Sequence, residues 1–294
     1  MAPDAVERLR SFHRTVTERV GALEAEYLGR SRPLGESRLL WEIGSDGVDV
    51  RDLRRRLGLD SGYASRMLRS LERQGLVTVK TSSVDGRVRT ARLTARGKRE
   101  AAELDRLSDE LASSILEPLD EHQRAKLADA AETVRRLLEA SSITVEPEPA
   151  GSAGARWCIA QYFDELGRRF DQGFDPALSI PAAEADMTPP HGVLLVARLR
   201  GRPIGCGALK LHPGEPTELK RMWVDPSTRG LGLGRRLLRE LEHHAASAGA
   251  TTIRLETNAS LAEAIALYRS AGYDEVPAFN DEPYAHHWFE KHLR

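Results

Sequence analysis

The chain has 294 residues, 43 basic and 44 acidic, so its formal net charge is −1, and the length favours two domains. Hydrophobic residues make up 40% and charged residues 30%, which excludes a disordered or fibrous chain, and no apolar run reaches the roughly 20 residues that a membrane-spanning helix needs. Two cysteines and no apparent secretory signal exclude a secreted disulfide scaffold and a zinc cluster, so we expect no metal, no membrane and a cytoplasmic protein.

The first half of the chain is predicted to be mainly helical, with helices over 5–28, 34–43, 98–116 and 120–139. The first of them repeats apolar residues on one face, namely Val6, Leu9, Val16, Val20, Leu23 and Tyr27. Long amphipathic helices at both ends of a compact middle favour a homodimer. The alternative is that these faces pack within one subunit.

The middle of this half has the order of a winged helix-turn-helix. Helices are predicted over 50–57 and 61–74, with Ser61 as a candidate N-cap, and strands over 76–80 and 88–94. The Asp85-Gly86-Arg87 segment joins the two strands as a hairpin turn. Residues 51–99 carry 14 basic and 4 acidic side chains, an excess expected of a nucleic-acid-binding surface.

The second helix of this motif is the candidate recognition helix, whose amino-terminal residues face base edges in the major groove. The preceding helix holds the DNA backbone, and arginines of the wing enter the minor groove, where the negative potential is strongest. The predicted DNA-binding residues are Arg54, Ser61, Gly62, Tyr63, Ser65, Arg66, Arg69, Arg87 and Arg89.

The run SGYASRMLRSLERQGLVTVKTSSVDGRVRTARLTARGK (61–98) resembles the recognition helix and wing of the MarR family of bacterial regulators. The resemblance covers about residues 1–140. It implies a homodimer that binds a palindromic double-stranded DNA operator, with dimer helices drawn from both ends of the domain.

A candidate linker follows, because SSITVEPEPAGSAGA (141–155) is rich in proline, glycine and small residues. We therefore predict domains over 1–142 and 156–294, joined by a linker over 143–155. In the second domain helices are predicted over 156–173, 232–248 and 260–271, alternating with strands over 193–199, 204–212, 217–224 and 252–258 and a closing strand at HHWFEKHL. This order predicts an α/β domain with a mixed central sheet.

The segment VDPSTRGLGLGR (224–235) is a glycine-rich turn between a strand and a helix, where free N–H groups and the helix dipole favour a pyrophosphate. Arg235 breaks the Rossmann spacing GxGxxG, and no Gly-Lys-Ser/Thr follows, so neither a dinucleotide fingerprint nor a Walker loop is present. A plain helix-start loop remains as an alternative on the loop alone.

Arg229-x-x-Gly232-x-Gly234, together with LETNASLAEAIALYRSAGY (255–273), resembles the GNAT superfamily of N-acetyltransferases over about residues 156–294. The resemblance implies acetyl-CoA as the acetyl donor, with its pyrophosphate on the loop and its pantetheine arm beside the preceding strand, where two central strands splay. The coenzyme-binding residues that it implies are Met222, Trp223, Val224, Arg229, Gly230, Leu231, Gly232, Leu233, Gly234, Arg235, Asn258 and Tyr268.

The same resemblance implies catalytic residues. Tyr268 is the candidate acid that protonates the departing thiolate, and Glu218 is the candidate general base, with Glu256 and His212 as alternatives. The N–H group of Val224 is the candidate donor to the thioester oxygen. Residues expected on the acceptor side are Phe163, Arg168, Arg169, Phe170, Asn280, Tyr284 and His286, and the paired arginines suggest an amino-acid-like amine.

The sequence thus predicts a transcriptional regulator fused to an acetyl-CoA-dependent N-acetyltransferase that acts on a small amine. One alternative is a regulator whose second domain senses acetyl-CoA or an amine without turnover. The other is an acetyltransferase that keeps the helix-turn-helix only for dimerisation.

Overall fold

The computed structural model describes residues 3–81, 88–212 and 214–293. The chain divides into two compact units, residues 1–131 and 132–294, and each is described by itself.

The first unit is helical with a small sheet. Its elements are α1 (Pro3–Arg19), α2 (Leu34–Ile43), β1 (Val48–Asp49), α3 (Val50–Leu57), α4 (Ser61–Arg73), β2 (Val77–Thr81), β3 (Arg89–Leu93), α5 (Ala95–Leu116) and the start of α6 (Glu121–Ser141). The three strands are antiparallel in the order β1-β3-β2. Leucines from α2, α3, α4 and α5 form one buried cluster with Ala91 of β3, so the helix-turn-helix shares its core with the hairpin. The predicted winged helix-turn-helix is confirmed.

Two local predictions in this unit are wrong. The helix predicted over 5–28 ends at Arg19, because Gly21 adopts a left-handed conformation with φ of 64° that a continuing helix cannot contain. Leu23 is consequently exposed, and Tyr27 is buried in a separate 3₁₀ turn. The N-cap of α4 is Asp60 rather than Ser61, since the Asp60 carboxylate accepts the N–H of Tyr63 at 2.8 Å.

The second unit is an α/β fold. Its elements after α6 are β4 (Ile143–Pro147), α7 (Ala153–Arg169), β5 (Gly192–Leu199), β6 (Arg202–Lys210), β7 (Thr217–Val224), α8 (Leu233–Ser247), β8 (Thr252–Thr257), α9 (Ala262–Ser270), β9 (Asp274–Val276) and β10 (His287–His292). The sheet order is β4-β5-β6-β7-β8-β10-β9, antiparallel except for β7 beside β8. Apolar residues of α8, α9 and the sheet form a single core cluster. The predicted mixed sheet is confirmed.

The linker predicted over 143–155 is wrong. Residues 143–147 form β4 and pair with β5 from Ile143↔Leu199 to Pro147↔Leu195. Ile143 is buried in the core, and its carbonyl accepts a hydrogen bond from Arg236 at 2.7 Å. The hydroxyl of Ser152 then caps α7 by accepting the N–H of Ala155. This segment is therefore part of the second unit, despite its prolines and small residues.

The central strands separate where the glycine-rich loop begins. β7 and β8 are paired at Thr217↔Ile253 and Glu218↔Arg254, near their starts, and diverge beyond. On the other side of β7 the register with β6 shifts between Cys206 and Ala208, so that Arg221 and Met222 oppose Gly207 in a β-bulge. Arg221 has a φ of 56° within this bulge. The strand consequently bends away from β8 and leaves one edge of its last residues open.

Candidate functional site

A cavity of about 520 Å³ lies between the end of β7, the start of α8 and one face of α9. Its lining includes ten of the twelve predicted coenzyme-binding residues: Met222, Trp223, Val224, Arg229, Gly230, Gly232, Leu233, Gly234, Arg235 and Tyr268. Leu231 packs against the hydrophobic core instead, and Asn258 lines a neighbouring cavity. The structure thus gathers the loop and the preceding strand around a single space.

The loop at this cavity is shaped by glycines with left-handed backbones. Gly230 has a φ of 80° and Gly232 a φ of 76°, values that side chains with a Cβ rarely adopt. Gly232 is the N-cap of α8 and brings no side-chain acceptor, so the N–H groups of Leu233, Gly234 and Arg235 have no partner within the helix. Such N–H groups and the helix dipole suit a phosphate anion. These features fit the pyrophosphate of a coenzyme.

The open edge of β7 supplies further backbone groups. The N–H of Asp225 donates to the carbonyl of Ile204 on β6 at 2.9 Å. Because N–H directions alternate along a strand, the N–H of Val224 points to the opposite side, towards the gap between β7 and β8. An extended ligand arm in that gap can bond to β7 as a short added strand would.

A second cavity, of about 90 Å³, adjoins the first. Both cavities are lined by Tyr162, Leu166, Met222, Leu261, Ala264 and Tyr268, so they meet at the bulge of β7 and the face of α9. The second cavity adds aromatic rings from Phe170, Phe174 and Tyr284 and charged groups from Lys220, Arg221, Glu256 and Glu282. The end of a ligand that extends along β7 from the first cavity would therefore lie beside the second cavity, which is polar and aromatic.

Comparisons with known proteins find two families in this chain. Residues 159–273 match the model of the GNAT acetyltransferase family, and residues 28–88 match that of the MarR family. The chain is 44% identical to the IAA acetyltransferase of Azospirillum brasilense over 123 residues, which are 41% of this chain and 80% of that protein. It is 34% identical to an N-acetyltransferase of Schizosaccharomyces pombe over 150 residues, 49% of this chain and 86% of that one. A crystal structure of a GNAT acetyltransferase from Staphylococcus aureus aligns with a TM-score of 0.44 at 16% identity, covering 52% of this chain and 99% of that one.

The chain belongs to the GNAT acetyltransferase family. A MarR-family domain precedes the acetyltransferase domain, so the fusion predicted from the sequence is confirmed. As a GNAT enzyme it uses acetyl-CoA as the acetyl donor. Among the residues that the structure describes, no helix is long and apolar enough to cross a membrane, and no cluster of His, Cys, Asp or Glu could hold a metal ion.

The side chain of Arg229 in the GNAT loop binds other groups of the protein. Its Nη2 donates to both carboxylate oxygens of Glu165 on α7 at 2.6 Å, and its Nε donates to the carbonyl of Val224. Burial alone would raise the pKa of Glu165, but the charge and hydrogen bonds of Arg229, together with hydrogen bonds from Arg169 and Trp223, outweigh burial and hold that pKa below its ordinary value. Glu165 also accepts from Nε1 of Trp223, whose ring is buried. The side chain of Trp223 is therefore a structural element, and only its backbone remains for the coenzyme.

Arg136, near the end of α6, was missed by sequence reasoning. Its Nη2 donates to the carbonyl of Gly230 at 2.8 Å. A Cβ added to Gly230 would lie 2.3 Å from the same nitrogen, so the guanidinium rests against the loop where a side chain would otherwise project. It lies outside the matched GNAT segment, and no motif in the sequence indicates this long-range contact.

Tyr268 lies on α9 at the junction of the two cavities and is 5% exposed. Burial raises the pKa of its phenol well above the ordinary value. The hydroxyl is therefore protonated throughout the neutral range, which is the state that an acid for a departing thiolate requires.

The structure does not bring Glu218 to the reacting centre. Its carboxylate pairs with Lys220 at 3.3 Å and Arg254 at 3.0 Å, and it is absent from the linings of both cavities. Burial would raise the pKa of Glu218, but Lys220 and Arg254 outweigh burial and lower it, which makes the carboxylate a weaker base. His212 lies beside Glu218, 3.6 Å away, and is likewise outside the cavities. Glu256, the other alternative, lines the second cavity and pairs with Lys220.

Asn258 has both polar ends of its side chain engaged. Its Nδ2 donates to the carbonyl of Tyr284 at 2.7 Å, and its Oδ1 accepts the N–H of Ser260 at 2.9 Å. These bonds tie the end of β8 to the 280–286 loop. Asn258 therefore caps the end of β8 beside the second cavity.

The predicted acceptor-side residues are only partly gathered. Phe170 and Tyr284 line the second cavity. Phe163 stacks on Phe174, Asn280 reaches Glu256, and the ring of His286 accepts from the N–H of Ala259. Arg169 is bound by Glu165, Glu263 and the carbonyl of Ser260, and Arg168 is exposed outside both cavities. The predicted arginine pair for an amino-acid-like amine is therefore wrong.

The MarR domain exposes most of its predicted DNA-binding residues. Ser61, Gly62, Tyr63, Arg66 and Arg69 of α4 are exposed, as is Arg89 at the start of β3, whereas Arg54 and Ser65 are partly buried. The guanidinium of Arg66 lies over the ring of Tyr63 at 5.8 Å. Arg87 and its Asp85-Gly86 turn lie outside the described residues.

Proposed function

We propose that the GNAT domain transfers the acetyl group directly from acetyl-CoA to a small amine. The meeting of the two cavities at Met222 and Tyr268 carries this proposal, because it allows a thioester in one cavity to face an amine in the other. The amine nitrogen attacks the thioester carbonyl, a C–N bond forms, and the C–S bond breaks. The ammonium form of the substrate first gives one proton to a base or to water, and the nitrogen gives up a second proton as the amide forms, while the departing thiolate gains one.

Each part of this transfer has a candidate group. The loop N–H groups from Gly230 to Arg235 hold the pyrophosphate, and the open edge of Met222–Val224 orients the pantetheine arm, with the Val224 N–H at the thioester oxygen. Tyr268 protonates the thiolate. Both Glu218 and Glu256 pair with Lys220, but only Glu256 lines the second cavity, which is the acceptor cavity of this proposal. Glu256 therefore accepts the proton of the amine, directly or through water.

Thiol release tests this function. The purified chain is mixed with acetyl-CoA and a panel of amino acids, polyamines and aminoglycosides, and free CoA is followed with a thiol reagent. We expect amine-dependent release for at least one class, with the acetylated amine found by mass spectrometry. Calorimetric binding of acetyl-CoA without release for any amine would instead support the ligand-sensing alternative.

We further propose that the MarR domain binds double-stranded DNA as a homodimer, with the exposed face of α4 in the major groove and Arg87 and Arg89 at the minor groove. The basic excess of residues 51–99 and the exposure of α4 support DNA binding. Val6, Leu9, Phe12 and Val16 form an exposed apolar stripe on α1, which supports the dimer. DNA and acetyl-CoA as ligands favour a cytoplasmic location.

DNA binding is tested by fluorescence anisotropy with a random-sequence 30-base-pair duplex over a range of salt concentrations. Arg66→Ala should weaken binding and reduce the salt slope by about 1 if this side chain contacts a phosphate. Arg106→Ala is the control, because that side chain pairs with Glu103 and Glu110 on α5. Equal affinity and slope for all three proteins would exclude the Arg66 contact.

A further inference from the structure

Arg221 lines the acceptor cavity and has no counterion in the part of the chain that the structure describes. Among the residues that the structure describes, no carboxylate pairs with its guanidinium, and its Nε is buried with no hydrogen-bond partner. The neighbouring cations differ, since Lys220 is paired with Glu218 and Glu256, and Arg254 with Glu218. Holding an uncompensated positive charge in a partly buried place is costly, and an anion bound by the Nη groups would offset that cost.

The fold holds this side chain in a defined place. Arg221 lies in the β-bulge of β7 with a φ of 56°, a left-handed conformation that a non-glycine residue adopts at some energetic cost. Its carbonyl accepts a hydrogen bond from the buried thiol of Cys206 at 3.2 Å. The guanidinium carbon lies 4.6 Å from the ring centroid of Phe163 and 5.9 Å from that of Tyr162. Contact with these rings holds the guanidinium beside the cavity that Arg221 lines.

The same cavity contains an anion that lacks a cation. Glu282 is 8% exposed, and the hydrogen bonds to its carboxylate in the described chain come from the neutral donors Ser179 Oγ at 3.0 Å, Ile180 N at 2.7 Å and Tyr284 N at 3.4 Å. No described lysine or arginine pairs with it. A carboxylate has about four acceptor positions, so Glu282 can still accept from an ammonium group. The cavity thus presents one unmatched positive and one unmatched negative group.

We propose that the acetyl acceptor carries a carboxylate, which Arg221 binds, so that the substrate class is α-amino acids and related zwitterions. This inference rests on the proposed acetyl transfer to an amine in this cavity. Glu282 attracts the ammonium group as the substrate enters the cavity. Arg221 then binds the carboxylate, and the amine points to the thioester. Phe170, Phe174 and Tyr284 contact the remainder of the substrate.

The test compares α-amino acids with their carboxamides, which keep the amine and lose the carboxylate. Alanine, leucine and phenylalanine are each measured beside the corresponding amide, both for kcat/KM by thiol release and for binding by calorimetry with CoA present. We expect the wild-type chain to favour the acid of at least one pair by roughly 10- to 100-fold, the range expected of a charge-assisted bidentate contact. Equal values for acid and amide in all three pairs would overturn the proposal.

Variants then assign the preference to one side chain. Arg221→Gln should remove the preference by lowering the value for the acid more than the value for the amide, and Arg221→Lys should retain part of the preference. Arg200→Gln is the matched control, because Arg200 also has a positive φ, 52°, but lies in the exposed turn between β5 and β6. Equal loss for acid and amide in Arg221→Gln would contradict the assignment.

The two proposals fail in different ways. Acetylation of amides as fast as acids would refute the carboxylate site and leave acetyl transfer intact. Tighter binding of the acids, without thiol release for any amine, would support the carboxylate site and refute turnover. The comparison of acid with amide needs only the wild-type chain, so it stands even if Arg221→Gln does not fold.

Discussion

The two cavities of the GNAT domain are built from different kinds of groups. The coenzyme cavity presents main-chain N–H groups of the loop 229–235 and the open edge of β7. Its charged side chains are bound within the protein, since Arg229 pairs with Glu165, Arg169 pairs with Glu165 and Glu263, and Arg235 donates to Ser270. The acceptor cavity presents side chains, namely aromatic rings and four charged groups from three separate segments.

This difference separates what is general in the enzyme from what is specific to it. Backbone groups bind a phosphate or a pantetheine amide whatever the neighbouring side chains are, so a loop of this kind serves many acceptors. By our proposal, side chains select the acceptor, because Arg221 and Glu282 disfavour ligands that leave their charges unpaired. Substitutions in the two cavities should therefore affect different kinetic constants.

The largest effect is expected at the junction of the cavities. Tyr268→Phe should lower kcat by about 100-fold while the Kd of acetyl-CoA changes little, since only the proton for the thiolate is lost. Tyr273→Phe is the control, because its ring lies 5.9 Å from that of Tyr268 and outside both cavities. The raised pKa of Tyr268 keeps the phenol protonated, so loss of this proton should cause no fall in kcat between about pH 7 and pH 10. A Tyr268→Phe variant with wild-type kcat would remove this residue from the mechanism.

The next largest effect is expected when the backbone conformation of the loop is changed, which should weaken the binding of acetyl-CoA. Gly232→Val places a β-branched residue at a φ of 76°, and the resulting strain should raise the Kd of acetyl-CoA by about 10- to 100-fold in calorimetry. Gly249→Val introduces a similar strain at a φ of 84° after α8, away from the loop. If both variants bind acetyl-CoA equally well, the loop conformation is not what binds the phosphates.

Removing a charge at the coenzyme cavity should affect stability. Glu165→Gln deprives Arg229 of its anion and should lower the free energy of unfolding by about 1–3 kcal/mol at pH 7, measured in urea. Because the pKa of Glu165 is lowered in the folded state, its contribution is present above the unfolded pKa of about 4.3 and is lost as the pH falls through the folded value. The difference between wild type and variant should therefore shrink in acid.

The control for this ion pair is Glu184→Gln. Glu184 pairs with Arg156 at 3.4 Å on the exposed surface of the same unit, so its loss should change stability by less than about 0.5 kcal/mol. A constant difference between wild type and Glu165→Gln from pH 7 to below pH 4 would contradict the assigned ion pair.

The smallest effect is expected at Arg136. Arg136→Ala loses one hydrogen bond to the loop and a positive charge near the phosphates, and it should raise the Kd of acetyl-CoA by about fivefold. Acetyl-pantetheine, which lacks the nucleotide, should bind the variant and the wild type equally. Arg135→Ala is the matched control, because Arg135 pairs with Glu132 and Glu139 on its own helix. Equal changes in the Kd of acetyl-CoA for the two variants would show that the loss of one positive charge, and not the hydrogen bond to Gly230, causes the effect.

The strongly patterned elements could be predicted from the sequence to the residue. The bounds of α2, α3 and β7 agree with the predicted 34–43, 50–57 and 217–224. β4 was missed because it is an edge strand that pairs on one side only, and an edge tolerates proline and charged residues that resemble a linker. The first helix was predicted too long because apolar periodicity continues beyond Gly21, where the left-handed backbone ends the helix.

The candidate site was likewise predicted only in part from the sequence. The glycine loop could be found from its residue spacing, and Tyr268 and the other coenzyme residues from the resemblance to the GNAT superfamily; ten of the twelve predicted coenzyme residues share one cavity. Glu218 was favoured as the base by its position on β7. Its carboxylate is, however, paired with Lys220 of β7 and Arg254 of β8. Arg221 was overlooked although it stands beside Met222, because nothing in one strand reveals which charge lacks a partner.

By itself, the sequence determined the order of the two domains and the glycine-rich turn proposed to bind a pyrophosphate, because these depend on local backbone conformation and on motifs of short spacing. The tertiary structure decided which charges are neutralised and which remain for a ligand. An ion pair depends on a partner that can lie anywhere along the chain, as Arg229 with Glu165 or Arg136 with Gly230 does, and only the packing of distant segments determines that partner.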